Sequence, residues 1–138
     1  MAKGKVLVVD DEPGLRALLQ LILEDAGCEP IIASTPLEGI RLAEEHQPGM
    51  AILDYMLPQM TGVELGIRLR QRLGDDFPLL FMSVVDIPRR ELAQLESYLF
   101  MSKPFDVSNV LEAVDSALAP VRPLPFTQPS PVDNRLAG

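Results

Sequence analysis

The 138-residue sequence holds one cysteine, one histidine and few aromatic residues (5%). Cys28 alone can close no intramolecular disulfide and can nucleate no cysteine zinc cluster. A reducing cytoplasm is therefore the expected compartment. No apolar run approaches the roughly 18–20 residues needed to span a membrane, so no membrane partner is expected. The start, Met1-Ala2-Lys3-Gly4-Lys5, leads straight into Val6 to Asp11. That run is too short, and too acidic at its end, for a signal peptide. Basic residues are scarce as well: 12 Lys and Arg stand against 20 Asp and Glu, a formal net charge of −8. Phosphate backbones and anionic lipid repel such a chain unless it carries a local basic patch. The longest basic cluster is Arg68, Arg70 and Arg72, alternating with apolar residues on one helix. Direct nucleic-acid binding is not expected.

What is present is an ordinary globular balance, with 47% apolar and 23% charged residues. The length suits one domain, large enough to bury a core without metal or disulfide staples. The chain divides near Leu118. Residues 119–138 hold Pro120, Pro123, Pro125, Pro129 and Pro131 and show no apolar period, which reads as a disordered or polyproline-like tail. Its one P-x-x-P spacing is weak as a ligand motif beside the plainer reading of a tail.

Residues 1–118 alternate strand and helix signals. Lys5 to Asp10 is a continuous apolar run, as for a strand buried on both faces. Leu15, Leu18, Leu19, Ile22 and Leu23 then form one helical stripe, with Pro13 in the first turn and Gly27 past the end. Pro30 to Ala33 is a second strand. Thr35-Pro36-Leu37-Glu38 reads as a capping box that opens a helix through His46. Met50 to Asp54 is the third strand and Gly62 to Leu73 the third helix. Leu79 to Met82 is the fourth strand, followed by a short helix from about Arg89 to Glu96. Tyr98 to Met101 is the fifth strand and Val107 to Leu118 the last helix. Five βα units with right-handed crossovers predict a parallel sheet covered by helices on both faces. Sites in such sheets form at the carboxyl ends of the strands.

The polar residues fall at those ends. Asp10 and Asp11 close the first strand, Asp54 the third; Ser83 follows the fourth and Lys103 the fifth. Converging carboxylates raise one another's pKa unless a cation sits among them. Magnesium fits, because it takes one or two carboxylates plus waters and a phosphate oxygen. Phosphoryl transfer needs little more than a metal, an in-line nucleophile and donors on the equatorial oxygens. A carboxylate can be that nucleophile. Lys103 supplies a point charge and Ser83 a hydroxyl donor. Taken singly, an aspartate at a strand end is most often a solvated turn former, and Asp11 could merely cap the first helix. All five positions matching together reverse those odds.

These residues resemble the receiver domain of two-component response regulators, over about residues 4–118. Val8-Val9-Asp10-Asp11-Glu12-Pro13 is similar to the family's first-strand acidic motif. Asp54-Tyr55-Met56-Leu57-Pro58-Gln59-Met60-Thr61-Gly62 is similar to its phosphoacceptor motif, Ser83 to its Thr/Ser position, and Lys103-Pro104-Phe105 to its lysine motif. The resemblance implies a flavodoxin-like, doubly wound α/β fold: a five-stranded parallel sheet in the order 2-1-3-4-5 with five helices. It implies that Asp54 accepts a phosphoryl group from a histidine kinase or a histidine phosphotransfer protein. Asp11, Asp54 and the Met56 backbone carbonyl would bind magnesium, with manganese able to substitute, and Asp10 would share that site. Lys103 would pair with the phosphoryl group, and Ser83 would move toward it. Phe100, three before the lysine where tyrosine is more usual, would turn inward. The Lys103–Pro104 peptide would be cis. Such a protein catalyses only its own phosphorylation and slow dephosphorylation. It would signal to a downstream protein target, with a phosphorylation-dependent homodimer as an option. With no output domain in the sequence, a stand-alone receiver is the expectation.

Three departures stand out. Val84 replaces the usual small residue after Ser83 and should narrow access to the pocket. The stretch from Ser83 to Lys103 is about two residues short, so the fourth helix should be shortened or irregular. Gly49 stands where an aspartate is common. His46, beside Glu44 and Glu45, reads as a solvated helix end rather than a phosphocarrier. Cys28 reads as structural. Two rivals remain: a receiver-like scaffold that takes no phosphate, and a phosphatase of haloacid-dehalogenase type. The latter needs its second aspartate two residues after the nucleophile, whereas Asp11 follows Asp10 directly. Neither G-x-x-x-x-G-K-[ST] nor G-x-G-x-x-G occurs, which disfavours a nucleotide-binding module.

Overall fold

The computed structural model describes residues 3–119. The expected tail lies outside the described residues, apart from Ala119. The five apolar runs form β1 (Lys5–Val9), β2 (Glu29–Ala33), β3 (Met50–Asp54), β4 (Leu79–Ser83) and β5 (Leu99–Ser102). Between and after them run α1 (Pro13–Asp25), α2 (Pro36–His46), α3 (Gly62–Leu73), α4 (Arg89–Leu92) and α5 (Val107–Leu118). All pairings are parallel, in the order β2-β1-β3-β4-β5. This is the doubly wound, flavodoxin-like sheet that the alternation of signals predicts.

Strand residues serve the two faces by turns. Val6, Val8, Ile52, Leu80 and Met82 pack with Leu19, Leu23, Val110 and Val114 of α1 and α5. Leu7, Val9, Leu53 and Phe81 pack on the other face with Ile40, Val63, Leu65 and Leu69 of α2 and α3. Both layers are buried, which is why β1, β3 and β4 read as unbroken apolar runs.

Local chemistry sets the helix starts. Thr35 caps α2, its Oγ1 accepting the Glu38 N–H at 3.2 Å. The return bond from Glu38 accepts the N–H of Ser34 at 2.8 Å, one residue earlier than a standard capping box. Thr61 caps α3 in the same manner through the Glu64 N–H. Gly27 ends the α1 turn at φ +87°, a conformation that favours glycine.

Five strand limits differ from expectation by one residue: Asp10 has left β1 for the following loop, β2 starts at Glu29 rather than Pro30, β4 runs on to Ser83 rather than Met82, and β5 spans Leu99–Ser102 rather than Tyr98–Met101. The helix expected over Arg89 to Glu96 stops at Leu92. Pro88 brings no capping side chain, and none of the four helical residues is buried. Beyond Leu92 the chain tightens, with the Gln94 and Leu95 N–H groups bonding three residues back to Glu91 and Leu92.

The arginine cluster of α3 does not form a basic patch. Arg68 pairs with Glu64 at 3.1 Å and Arg72 with Glu44 at 3.0 Å. Arg70 is buried; its Nε donates to the Phe77 carbonyl at 2.9 Å and a terminal N–H to Ser97 Oγ at 3.4 Å. It therefore ties α3 to the approaches of β4 and β5. Arg70→Met strands the Phe77 carbonyl and should cost about 1–3 kcal/mol in urea unfolding. A loss below about 0.5 kcal/mol would show that water or relaxation replaces the bond.

Candidate functional site

Strand order gathers the polar residues. β1, β3, β4 and β5 lie side by side, so the residues at their carboxyl ends share one edge. Asp10 is 2% exposed, Asp54 8% and Ser83 2%, while Asp11 is exposed. Lys103 Nζ donates to Asp10 Oδ2 at 3.0 Å and to Asp54 Oδ1 at 3.1 Å. All of the sequence-predicted strand-end residues are thus at one edge, with the lysine bridging two of the carboxylates.

Each is held by its backbone. Asp10 Oδ1 accepts the Glu12 N–H at 2.9 Å, which orders the β1–α1 loop. Arg16 reaches from α1 to donate to the Asp10 carbonyl at 2.7 Å. Asp11 is not the α1 cap; Glu12 holds that position without a side-chain bond. Beyond Asp54, Tyr55 donates its N–H to the Met82 carbonyl at 2.9 Å, and its carbonyl accepts the Gly62 N–H at 2.7 Å. Lys103 donates its N–H to the Ser83 carbonyl at 2.9 Å, and the Lys103–Pro104 peptide is cis.

The electrostatics are unbalanced. Asp10, Asp11 and Asp54 each offer an oxygen, and these atoms lie within 4.8 Å of one another. Among the described residues only Lys103 pairs with this cluster, and it reaches Asp10 and Asp54 but not Asp11. Burial first, then the Asp10 charge, push the Asp54 carboxyl above its ordinary pKa, although Lys103 and the Met56 N–H pull the other way. Burial alone would lower the Lys103 ammonium; the Asp10 and Asp54 carboxylates outweigh it and hold its pKa above normal. A hard divalent cation fits this donor set, since it would meet oxygen ligands and an excess of negative charge.

Ser83 Oγ accepts the Val85 N–H at 3.0 Å, and no hydrogen bond among the described residues uses its own proton. Phe100 pairs in register with Phe81 and is 41% exposed, so its ring points outward here. Val84 is 70% exposed and does not close over the pocket in this arrangement. His46 ends α2 beside Glu45, its carbonyl accepting from Lys5 Nζ at 3.3 Å at the amino end of β1, and Cys28 is buried in the α1–α5 layer. Sequence reasoning missed Arg16 and Tyr55. Arg16 adjoins Leu15 of the apolar stripe in the first helix, so it could have been placed near the loop. The partner of Tyr55, described below, is 36 residues away and left no local signal.

Fold and site together define a doubly wound α/β domain with an acid-rich pocket at the carboxyl edge of its sheet. The response regulator receiver domain model matches residues 6–115, and the chain belongs to that family. It is 37% identical over 116 residues to the alkaline phosphatase synthesis transcriptional regulatory protein PhoP of Bacillus subtilis, covering 83% of this chain and 48% of that protein. It is 26% identical over 121 residues to sporulation initiation phosphotransferase F of Bacillus subtilis, covering 86% of this chain and 96% of that one. The chain spans about half the length of the first curated relatives it matches. Among solved structures, chemotaxis protein CheY4 of Vibrio cholerae superposes with a TM-score of 0.76 at 28% identity, over 85% of this chain and 98% of that one. Among the described residues, no helix is long and apolar enough to cross a membrane.

Proposed function

We propose that this receiver domain, taken as residues 1–118, accepts a phosphoryl group on Asp54 from the phosphohistidine of a kinase or phosphotransfer protein. The observation that carries the reading is Lys103 bridging Asp10 and Asp54 beside Asp11, at the edge where Ser83 also lies. An Asp54 carboxylate oxygen attacks phosphorus, the phosphorus–nitrogen bond breaks, and the imidazole leaves with its electron pair. Asp10, Asp11, Asp54 and the Met56 carbonyl would hold magnesium, or manganese in its place, which offsets charge on the phosphoryl oxygens when bound. Lys103 exchanges a carboxylate for a phosphoryl oxygen, and the free Ser83 proton turns to another. Ser83 and Phe100 then carry the switch to a surface read by a downstream protein, or by a second copy of the chain. The short loop over residues 10–12 offers no cap to retain an organic substrate, which disfavours the phosphatase reading. The cytoplasm suits this role, and neither nucleic acid nor membrane is a direct partner.

The test is uptake from a small acyl phosphate, followed by mass spectrometry with magnesium and then with chelator. Uptake that stops on chelation supports the proposal. Equal uptake without metal contradicts the role of the acidic residues. Val84 is exposed and does not close over the pocket, so Val84→Ala should change uptake and loss of the phosphoryl group by less than about twofold, under about 0.5 kcal/mol in the barrier. A several-fold acceleration would mean that Val84 swings over the pocket as the donor approaches.

A further inference from the structure

Tyr55 directly follows the phosphoacceptor position, and its hydroxyl donates to Glu91 Oε2 at 2.7 Å. Glu91 belongs to α4, which has no side-chain cap and no buried residue. Among the described residues this is the only side-chain hydrogen bond from α4 to another element. We propose that Tyr55 and Glu91 are a positioning pair that ties α4 to the phosphoacceptor loop in the resting arrangement and restrains the switch.

This rests on the proposed phosphorylation of Asp54. The resting arrangement is marked by Ser83 Oγ engaged with the Val85 N–H and by an outward Phe100. Tyr55 cannot follow a moving α4. Its N–H is bonded to Met82, its carbonyl to Gly62, and its ring packs on the α2–α3 layer. Ser83 is continuous with α4 through the short segment 84–88. On this proposal the rearrangement that brings Ser83 toward Asp54 also shifts α4 and parts Glu91 from the Tyr55 hydroxyl. The bond is present in one state and lost in the other, which is the condition for biasing an equilibrium. Removing it raises the population of the state that receives phosphate.

Phosphorylation by acetyl phosphate with magnesium tests the pair in the full chain. Tyr55→Phe and Glu91→Ala should each raise the rate about three- to tenfold, the net worth of one ordinary, partly exposed hydrogen bond. The double variant should match the single ones, because both remove the same bond. Glu91→Gln keeps an acceptor oxygen and should fall between wild type and Glu91→Ala. If Tyr55→Phe fails to fold, Glu91→Ala carries the test from a helix with no fully buried residue. Folded variants that react at or below the wild-type rate, or effects that multiply in the double variant, overturn the pair. Wild type that takes no phosphoryl group overturns the proposed function itself, and the pair with it.

Discussion

Asp54→Asn is expected to abolish phosphoryl uptake and to leave the protein more stable. The amide is no nucleophile, so no acyl phosphate forms at that position. The same change removes a charge from a crowded pocket. Burial and the Asp10 charge raise the Asp54 carboxyl above its ordinary pKa, which means that folding disfavours its ionised form. The sign follows from linkage. A carboxyl raised by folding adds no penalty below its unfolded pKa near 4 and its full penalty above the folded value. With metal chelated at neutral pH, the Asn variant should melt about 2–6 °C higher. The advantage should shrink as pH falls toward 4, where wild-type Asp54 takes up its proton. Lys103 keeps its partner Asp10 at 3.0 Å, so the loss of Asp54 strands no charge. A variant that melts lower at neutral pH would show that Lys103 pairing outweighs burial and the Asp10 charge.

Gly62→Ala should be the most destabilising of the single substitutions considered. Gly62 opens α3, and a Cβ built there would overlap the Asp54 carbonyl oxygen and lie 3.0 Å from both the Asp54 carbonyl carbon and the Tyr55 Cα. These are backbone atoms, and the Gly62 N–H bond to the Tyr55 carbonyl at 2.7 Å closes the approach further. By contrast, a Cβ at Gly66 would meet the Leu79 methyl at 2.8 Å, where a side chain can turn aside. Relief at Gly62 requires α3 to move off β3. We expect a loss of about 3 kcal/mol or more in denaturant unfolding, with slower phosphoryl uptake in the molecules that fold. A loss under about 1 kcal/mol would mean that the loop yields cheaply and that the close approach does not fix Asp54.

Much of this was legible because the signals were strong and local. β3, α3 and α5 have the limits that the sequence predicts, since each is bounded by a cap, a glycine or the start of a proline-rich stretch. Asp10, Asp54, Ser83 and Lys103 were recognisable as the polar ends of otherwise apolar strands. The α4 region was legible only as irregular. None of its four residues is fully buried and only Leu92 packs against the core, so no period in the sequence marks where it stops. Arg70 shows the opposite limit: a residue that reads as part of a charged face is buried by a carbonyl seven residues on and a serine 27 residues away. The Tyr55–Glu91 bond likewise depends on where two distant segments come to rest.

The most direct measurement of the central claim is an intact-mass spectrum with magnesium and a small acyl phosphate, wild type beside Asp54→Asn. The account predicts one added phosphoryl group on wild type and none on the variant. Equal modification of both, or none on a wild type that still binds magnesium, would contradict it.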